Sequence, residues 1–321
     1  MSVSYLSNAV YYRVYESVLR SESIGVLILA ISVVFTSGEI CIKTSRVIDY
    51  LILAFLLVEI LMYGEHYFTG YGENSQVGSV LFEFSCFLTA FRLLDISRRK
   101  GIIFYLVFVC TVIISLGTGK RLPLSYIFMA LLYTNFGAKK RYVMSFIALF
   151  LFTSLGYLWS VWRDSFSLQG IAMVFTNSNH GGTLHSAGVY WRALSSGYFS
   201  AGDRILLSVT HLFASWILPT TMLGELADLK SHIQGFDSIQ GNGGLMGTYL
   251  RLYFGWLGLP MLFWFSILVR GRLKFLRLAI YLSIFRVSMY NWVPSIRLMS
   301  YTIILMTICM LFFKVKLIRI S

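Results

Sequence analysis

Three arginines stand where a permanent charge is expensive. Arg251 lies in GNGGLMGTYLRLYFGWLG (241–258), Arg286 in AIYLSIFRVSMY (279–290) and Arg297 in NWVPSIRLMSY (291–301). Each stretch enters or occupies an apolar run. An ionisable side chain at membrane depth is costly and normally faces an aqueous cavity. A guanidinium offers a planar fork of donors that matches phosphate oxygens. The residues around Arg251 point the same way. At 100° per residue, Gly247, Arg251, Gly255 and Gly258 fall within about 80° of one helix face, so a ligand can approach the backbone there. The helix start near Gly244–Met246 adds free amides and a partial positive charge. This combination suits a phosphate-bearing group. Lys120 and Arg121, and Arg192 and Arg204 of a long loop, are placed to assist. The competing explanation is a glycine face for helix packing, with the arginines snorkelling to the headgroups.

If a leaving phosphate is displaced by a hydroxyl, a general base is needed. His180, Glu225 and Asp228 are the candidates in the long loop. His180 and His185 in NHGGTLHS are five residues apart, a poor spacing for two metal ligands on a helix. The chain has no HEXXH, GXSXG or Walker A motif. Cys41, Cys86, Cys110 and Cys309 lie within apolar runs without a CXXC pair, so neither a disulfide framework nor a zinc site is indicated. No metal and no cofactor is expected. Glu39, Glu59 and Glu83 within the runs suit structural ion pairs.

The elements that position these residues follow from composition. Of 321 residues, 57% are hydrophobic, 17% aromatic and only 13% charged. A soluble domain averages about 25% charged residues. Runs near 22–40, 48–64, 77–94, 101–118, 121–137, 142–162, 246–269, 275–293 and 297–314 are each close to the roughly 20 apolar residues a span requires. The expected fold is all-α and polytopic, with about 9–11 transmembrane helices. The first twenty residues lack the apolar core of a cleavable signal, so targeting is expected to fall to the first span. The net charge of +13 does not imply nucleic-acid binding. Its basic residues cluster in alternate short loops: Lys43 and Arg46; Arg98, Arg99 and Lys100; Lys139, Lys140 and Arg141; Arg270, Arg272 and Lys274; and a tail with Lys314, Lys316 and Arg319. The positive-inside rule places these loops in the cytoplasm. Lys120 and Arg121 break the alternation and fall outside. Residues 4–20 form either an interfacial helix or an additional span.

The chain therefore divides into an N-terminal bundle (1–162), a large external loop (163–245) and C-terminal helices (246–321). A loop this long within a compact protein is usually functional. Within it, ILLSVTHLFASWILPTTML (205–223) reads as an interfacial or re-entrant helix in preference to a tenth span. Tyr190, Trp191, Tyr198, Phe199 and Trp216 offer surfaces for stacking on sugars.

A very hydrophobic chain, one long external loop in its second half, and a glycine-rich approach to YLRLYFGWLGLPMLF together resemble the Wzy-type O-antigen polymerases. Phe254, Gly255 and Gly258 match the F-G-x-x-G that often opens the span after the loop. The resemblance implies polymerisation of undecaprenyl-pyrophosphate-linked oligosaccharide repeats at the periplasmic face of the bacterial inner membrane. It implies a metal-independent glycosyltransferase, with basic residues holding the pyrophosphate. A chain-length regulator and a flippase of the same pathway are implied partners, beside the bilayer itself. An O-antigen ligase shares this layout. A flippase or transporter would show evenly sized spans and short loops, and a membrane acyltransferase would want its histidine on the cytoplasmic side.

Overall fold

The computed structural model of the chain describes residues 41–64, 80–95, 100–117, 121–136, 140, 143–144, 179–214, 218, 220–223, 232–233, 235–236, 246–258, 260, 274–284, 286 and 293–320. Most of these residues are helical, as the all-α expectation requires. The runs at 22–40 and 142–162 fall wholly or almost wholly outside them. The chain forms two compact units. The first comprises Met1–Phe35, Phe146–Leu273 and Ile284–Arg297; the second comprises Thr36–Ser145, Lys274–Ser283 and Leu298–Ser321. These units do not follow the division at 162 and 245.

In the second unit, strand β1 (Ile42–Thr44) leads into α1 (Val47–Tyr63), α2 (Val80–Leu94), α3 (Ile102–Gly117) and α4 (Arg121–Asn135). The helices start and stop within a few residues of the apolar runs. α2 is the centre. Phe82 and the whole stretch from Phe84 to Leu94 are buried, as expected for a helix that is apolar on all sides. It packs against α4 and α1. Aromatic contacts fix these faces: Phe87 meets Tyr126 edge-on at 5.5 Å, and Phe84 meets Phe55 at 5.8 Å. Such pairs contribute about 0.5–1.5 kcal/mol beyond the area they bury.

α1 and α3 bury polar groups among their apolar ones and expose many large apolar side chains. α1 buries Asp49 and Glu59 together with Ile48, Ile52 and Leu56. It exposes Leu57, Leu61 (84% exposed) and Met62. α3 buries Thr111 and Ser115 while Ile102 (85% exposed), Leu106, Val109 and Ile113 face outward. The hydroxyls of Ser85, Thr89 and Thr111 each donate to the carbonyl four residues back, at 2.7–2.9 Å. Hydroxyls without water commonly satisfy themselves this way.

One end of this unit carries a buried charge cluster. Arg92, fully buried, donates through Nε to Asp49 at 2.8 Å, and its Nη1 lies 3.8 Å from Asp95. Asp95 also accepts from the amide and hydroxyl of Thr44, at 2.7 and 2.8 Å. The sequence reading did not single out Arg92, Asp49 or Asp95. The rule applied to Arg251, a charge within an apolar run, applies equally to Arg92.

After α1–α4, α9 (Lys274–Leu282) and the body of α10 (Val293–Phe313) complete the unit. Phe275 stacks on Phe91 at 5.5 Å, and Tyr301 meets Phe84 edge-on. Among the described residues, one helical stretch, Ile296–Phe313, is long and apolar enough to cross a membrane. The tail then departs from all-helical expectation. Strand β2 (Ile318–Ile320) pairs antiparallel with β1, with Ile42 opposite Ile320, Lys43 opposite Arg319 and Thr44 opposite Ile318. The loop after the first run and the C-terminal tail thus form a small ribbon.

The first unit holds α5 (Asn179–Ser195), α6 (Ala201–Leu207) continuing into a π-helical turn (Ser208–Phe213), the short α7 (Thr220–Leu223) and α8 (Met246–Phe254). α5 and α6 both pack on α8. α5 ends in a Schellman motif. Gly197 takes φ +74°, the amide of Tyr198 donates to Ala193 and that of Gly197 to Leu194. Ser200 then caps α6, its hydroxyl accepting from the Asp203 amide while Asp203 accepts from the Ser200 amide. Those hydrogen bonds also hold the Asp203 carboxyl below the usual range.

Candidate functional site

α8 is the element on which the candidate residues converge. Its sequence, MGTYLRLYF, places Tyr249, Leu252 and Tyr253 in the interior and leaves Arg251 half-buried. The Arg251 guanidinium lies over the indole of Trp191 in α5, 3.6 Å from the ring centroid. That distance is well within the range of a cation–π contact. The contact holds the guanidinium against the face of the ring.

The glycines act differently from the sequence expectation. A continuous helix would carry Gly247, Arg251, Gly255 and Gly258 on one face. The helix instead ends at Phe254, and Gly255 takes φ +58°. That left-handed conformation suits glycine because it lacks a Cβ. A single 3-10 turn follows, Gly255–Leu257. The chain then folds back on α8, so that a Cβ on Gly258 would sit 2.7 Å from the Leu250 carbonyl oxygen and 3.0 Å from the Arg251 amide nitrogen. Gly258 permits the chain to approach its own helix, not a neighbour or a ligand. The break also means that 246–269 is not one uninterrupted straight span.

Gly255 does allow a close approach by a predicted residue. A Cβ there would lie 3.1 Å from Nη1 of Arg204, so the arginine of α6 reaches the glycine turn at the end of α8. Among the described residues, the Nε of Arg204 is buried without a hydrogen-bond partner. A buried guanidinium donor left unmade is costly, which leaves it receptive to an acceptor.

The π-turn fastens α6 to α8. Ser208 donates to the Tyr253 carbonyl at 3.2 Å, and Nδ1 of His211 forms a hydrogen bond with the Tyr253 hydroxyl. The His211 ring stacks on Tyr249 with centroids 5.8 Å apart. Burial, then the charges of Arg297 and His232, push the His211 pKa down to about 4. His211 is therefore neutral at pH 7. Arg297 is itself buried. Neither His211 nor Tyr253 was given a role by the sequence analysis. The one available signal was a histidine in an otherwise apolar run.

Five of the predicted cations thus lie in the first unit. Arg204 and Arg251 meet α8 directly, Arg297 acts on the histidine bonded to α8, and Arg192 follows Trp191 in α5. Arg286 belongs to the same unit and is half-buried. Of the predicted stacking surface, Tyr190 and Phe199 are buried, with Tyr190 packed on Tyr249. They are core residues and not sugar platforms. Tyr198 remains exposed. Arg121 opens α4 in the other unit. The His180 and Gly247 backbones are helical, but their side-chain surroundings lie outside the described residues, as do Lys120, Glu225, Asp228, Gly244 and Trp216. Among the described residues no group of three His, Cys, Asp or Glu is placed to hold a metal. No family model matches the chain, and neither a curated protein nor a solved structure is similar to it.

Proposed function

We propose that this chain is a polytopic inner-membrane glycosyltransferase that polymerises undecaprenyl-pyrophosphate-linked oligosaccharide repeats on the periplasmic side. The observation that carries the proposal is the gathering of Arg204, Arg251 and Arg297 around α8, with Gly255 opening the backbone beside Arg204. A pyrophosphate leaving group needs such preorganised donors where its charge develops.

The membrane part has its own support. Polar stripes face inward on α1 and α3 while leucines and isoleucines face out, the pattern favoured in hydrocarbon. Segments assigned to the cytoplasmic side by charge also meet within the second unit. Thr44 bonds Asp95, β1 pairs with β2, and Phe275 stacks near the end of α2. A correct inside–outside assignment requires that convergence.

In the reaction, a sugar hydroxyl of the incoming repeat attacks the anomeric carbon of the growing chain. The bond from that carbon to the pyrophosphate oxygen breaks, and undecaprenyl pyrophosphate leaves. Arg251 and Arg204 bind the departing phosphates, and Arg297, Arg286 and Arg192 add positive potential. The hydroxyl proton passes to a loop base, with His180, Glu225 and Asp228 as candidates. The His211–Tyr253 pair holds the π-turn on α8 and so positions Arg204. A flippase supplies the substrate and a chain-length regulator sets its extent.

Deleting the gene tests the class. The expected polysaccharide gel shows one repeat on the lipid core and no ladder. Loss of even the single repeat indicates a ligase, and repeats accumulating on the cytoplasmic face indicate a flippase.

A further inference from the structure

Trp191 stands among the residues expected to stack on sugars, and the structure gives its ring a different neighbour. The guanidinium carbon of Arg251 lies 3.6 Å from the ring centroid. That is van der Waals contact, so the face turned to Arg251 is closed to a sugar. Indole is the aromatic face that attracts a cation most strongly, and the attraction grows as water is excluded. Both side chains are half-buried, so the contact is partly shielded from water.

The packing of α5 on α8 sets up this pair. Ala187, Val189 and Tyr190 of α5 are buried, and Tyr190 packs on Tyr249 of α8 with ring centroids 6.0 Å apart. Trp191 follows Tyr190, and Arg251 lies two residues past Tyr249. The buried tyrosine pair therefore fixes the register in which tryptophan and arginine meet. A long arginine side chain left to itself samples many rotamers, and a ligand that must immobilise it binds more weakly. A ring that holds the guanidinium beforehand removes that cost.

We propose that Trp191 is a positioning residue, whose indole face holds Arg251 in place and so sets the affinity for the leaving pyrophosphate. The inference rests on the proposed function, which gives Arg251 that ligand. Trp191 acts through Arg251 alone, and no bond forms or breaks at its ring.

The test uses the full-length protein in detergent, with the tryptophan at 191 replaced by its mono- to tetrafluorinated analogues through nonsense suppression. Fluorine drains the negative potential from the ring face, the part that attracts the cation, and scarcely changes the ring's shape. Affinity for inorganic pyrophosphate and for undecaprenyl pyrophosphate is read by titration calorimetry. Both affinities are expected to fall with each added fluorine, by about 5- to 30-fold over the series. Trp191→Leu should lose at least as much, and Trp191→Phe should retain part of the binding. In Arg251→Ala the dependence on fluorine should vanish, because the cation held by the ring is gone. A tryptophan that only fills space would leave the affinity level across this near-isosteric series. Level affinity, undiminished binding in Trp191→Leu, or a slope that persists in Arg251→Ala would overturn the role of Trp191. A wild-type chain that binds neither pyrophosphate would instead overturn the proposed function.

Discussion

Arg92 and Arg204 both have an Nε sealed from water, and among the described residues that of Arg92 has a hydrogen-bond partner and that of Arg204 has none, although Nη1 and Nη2 of Arg92 are likewise buried without a hydrogen bond. In the second unit the Arg92 Nε donates to Asp49, with Asp95 beside Nη1 and both carboxylates buried. In the first unit the Arg204 Nε has no hydrogen-bond partner, and its Nη1 reaches a glycine turn. Arg251, beside that turn, rests on a tryptophan face. The cation in the second unit is neutralised by its own chain and ties α1, α2 and β1 together. In the first unit Arg251 rests on an aromatic face and Arg204 reaches a glycine turn. A buried arginine paired with carboxylates is structural, and a buried guanidinium nitrogen without a partner, as at Arg204, is receptive to an acceptor.

The largest expected effect tests the structural half of that contrast. Arg92→Ala leaves Asp49 and Asp95 buried without their cation and should cost about 3–5 kcal/mol, measured as a lower unfolding midpoint in detergent. Adding Asp49→Asn should recover part of the loss, because one uncompensated charge is removed. An unchanged midpoint for Arg92→Ala would break the comparison.

The next effect concerns His211, a base kept neutral among cations. Its folded pKa of about 4 lies below the ordinary 6.5. Between these values the unfolded chain binds a proton that the folded chain does not, so stability rises with pH across that window. The stabilisation is fully present above about pH 6.5 and lost as pH falls toward 4, a change of about 3 kcal/mol. His211→Phe should flatten the pH dependence of the midpoint over this window. A slope that persists in His211→Phe would place the titration elsewhere.

The sequence was most informative where physics is local. Apolar runs at 48–64, 77–94, 101–118 and 121–137 became helices at Val47–Tyr63, Val80–Leu94, Ile102–Gly117 and Arg121–Asn135, and the proline in the last of them, Pro123, sits in the first turn, where a helix tolerates it. What escaped was tertiary. Asp49 and Arg92 are 43 residues apart, and helical periodicity says nothing about partners at that distance. Periodicity also assumes continuity, so it could not register the left-handed turn at Gly255 that divides the glycine face. For the candidate site, the arginines were legible as charges in apolar surroundings. Their supports, Trp191 for Arg251 and Gly255 for Arg204, depend on how α5, α6 and α8 pack.

The central claim is that the cations on α8 hold the leaving pyrophosphate. Its most direct measurement is the polysaccharide ladder produced by Arg204→Ala and Arg251→Ala chains that accumulate in the membrane at wild-type level, beside Arg319→Ala as a control in the other unit. The account predicts a single repeat on the lipid core for the first two and a normal ladder for the control. Normal ladders from both Arg204→Ala and Arg251→Ala would contradict it.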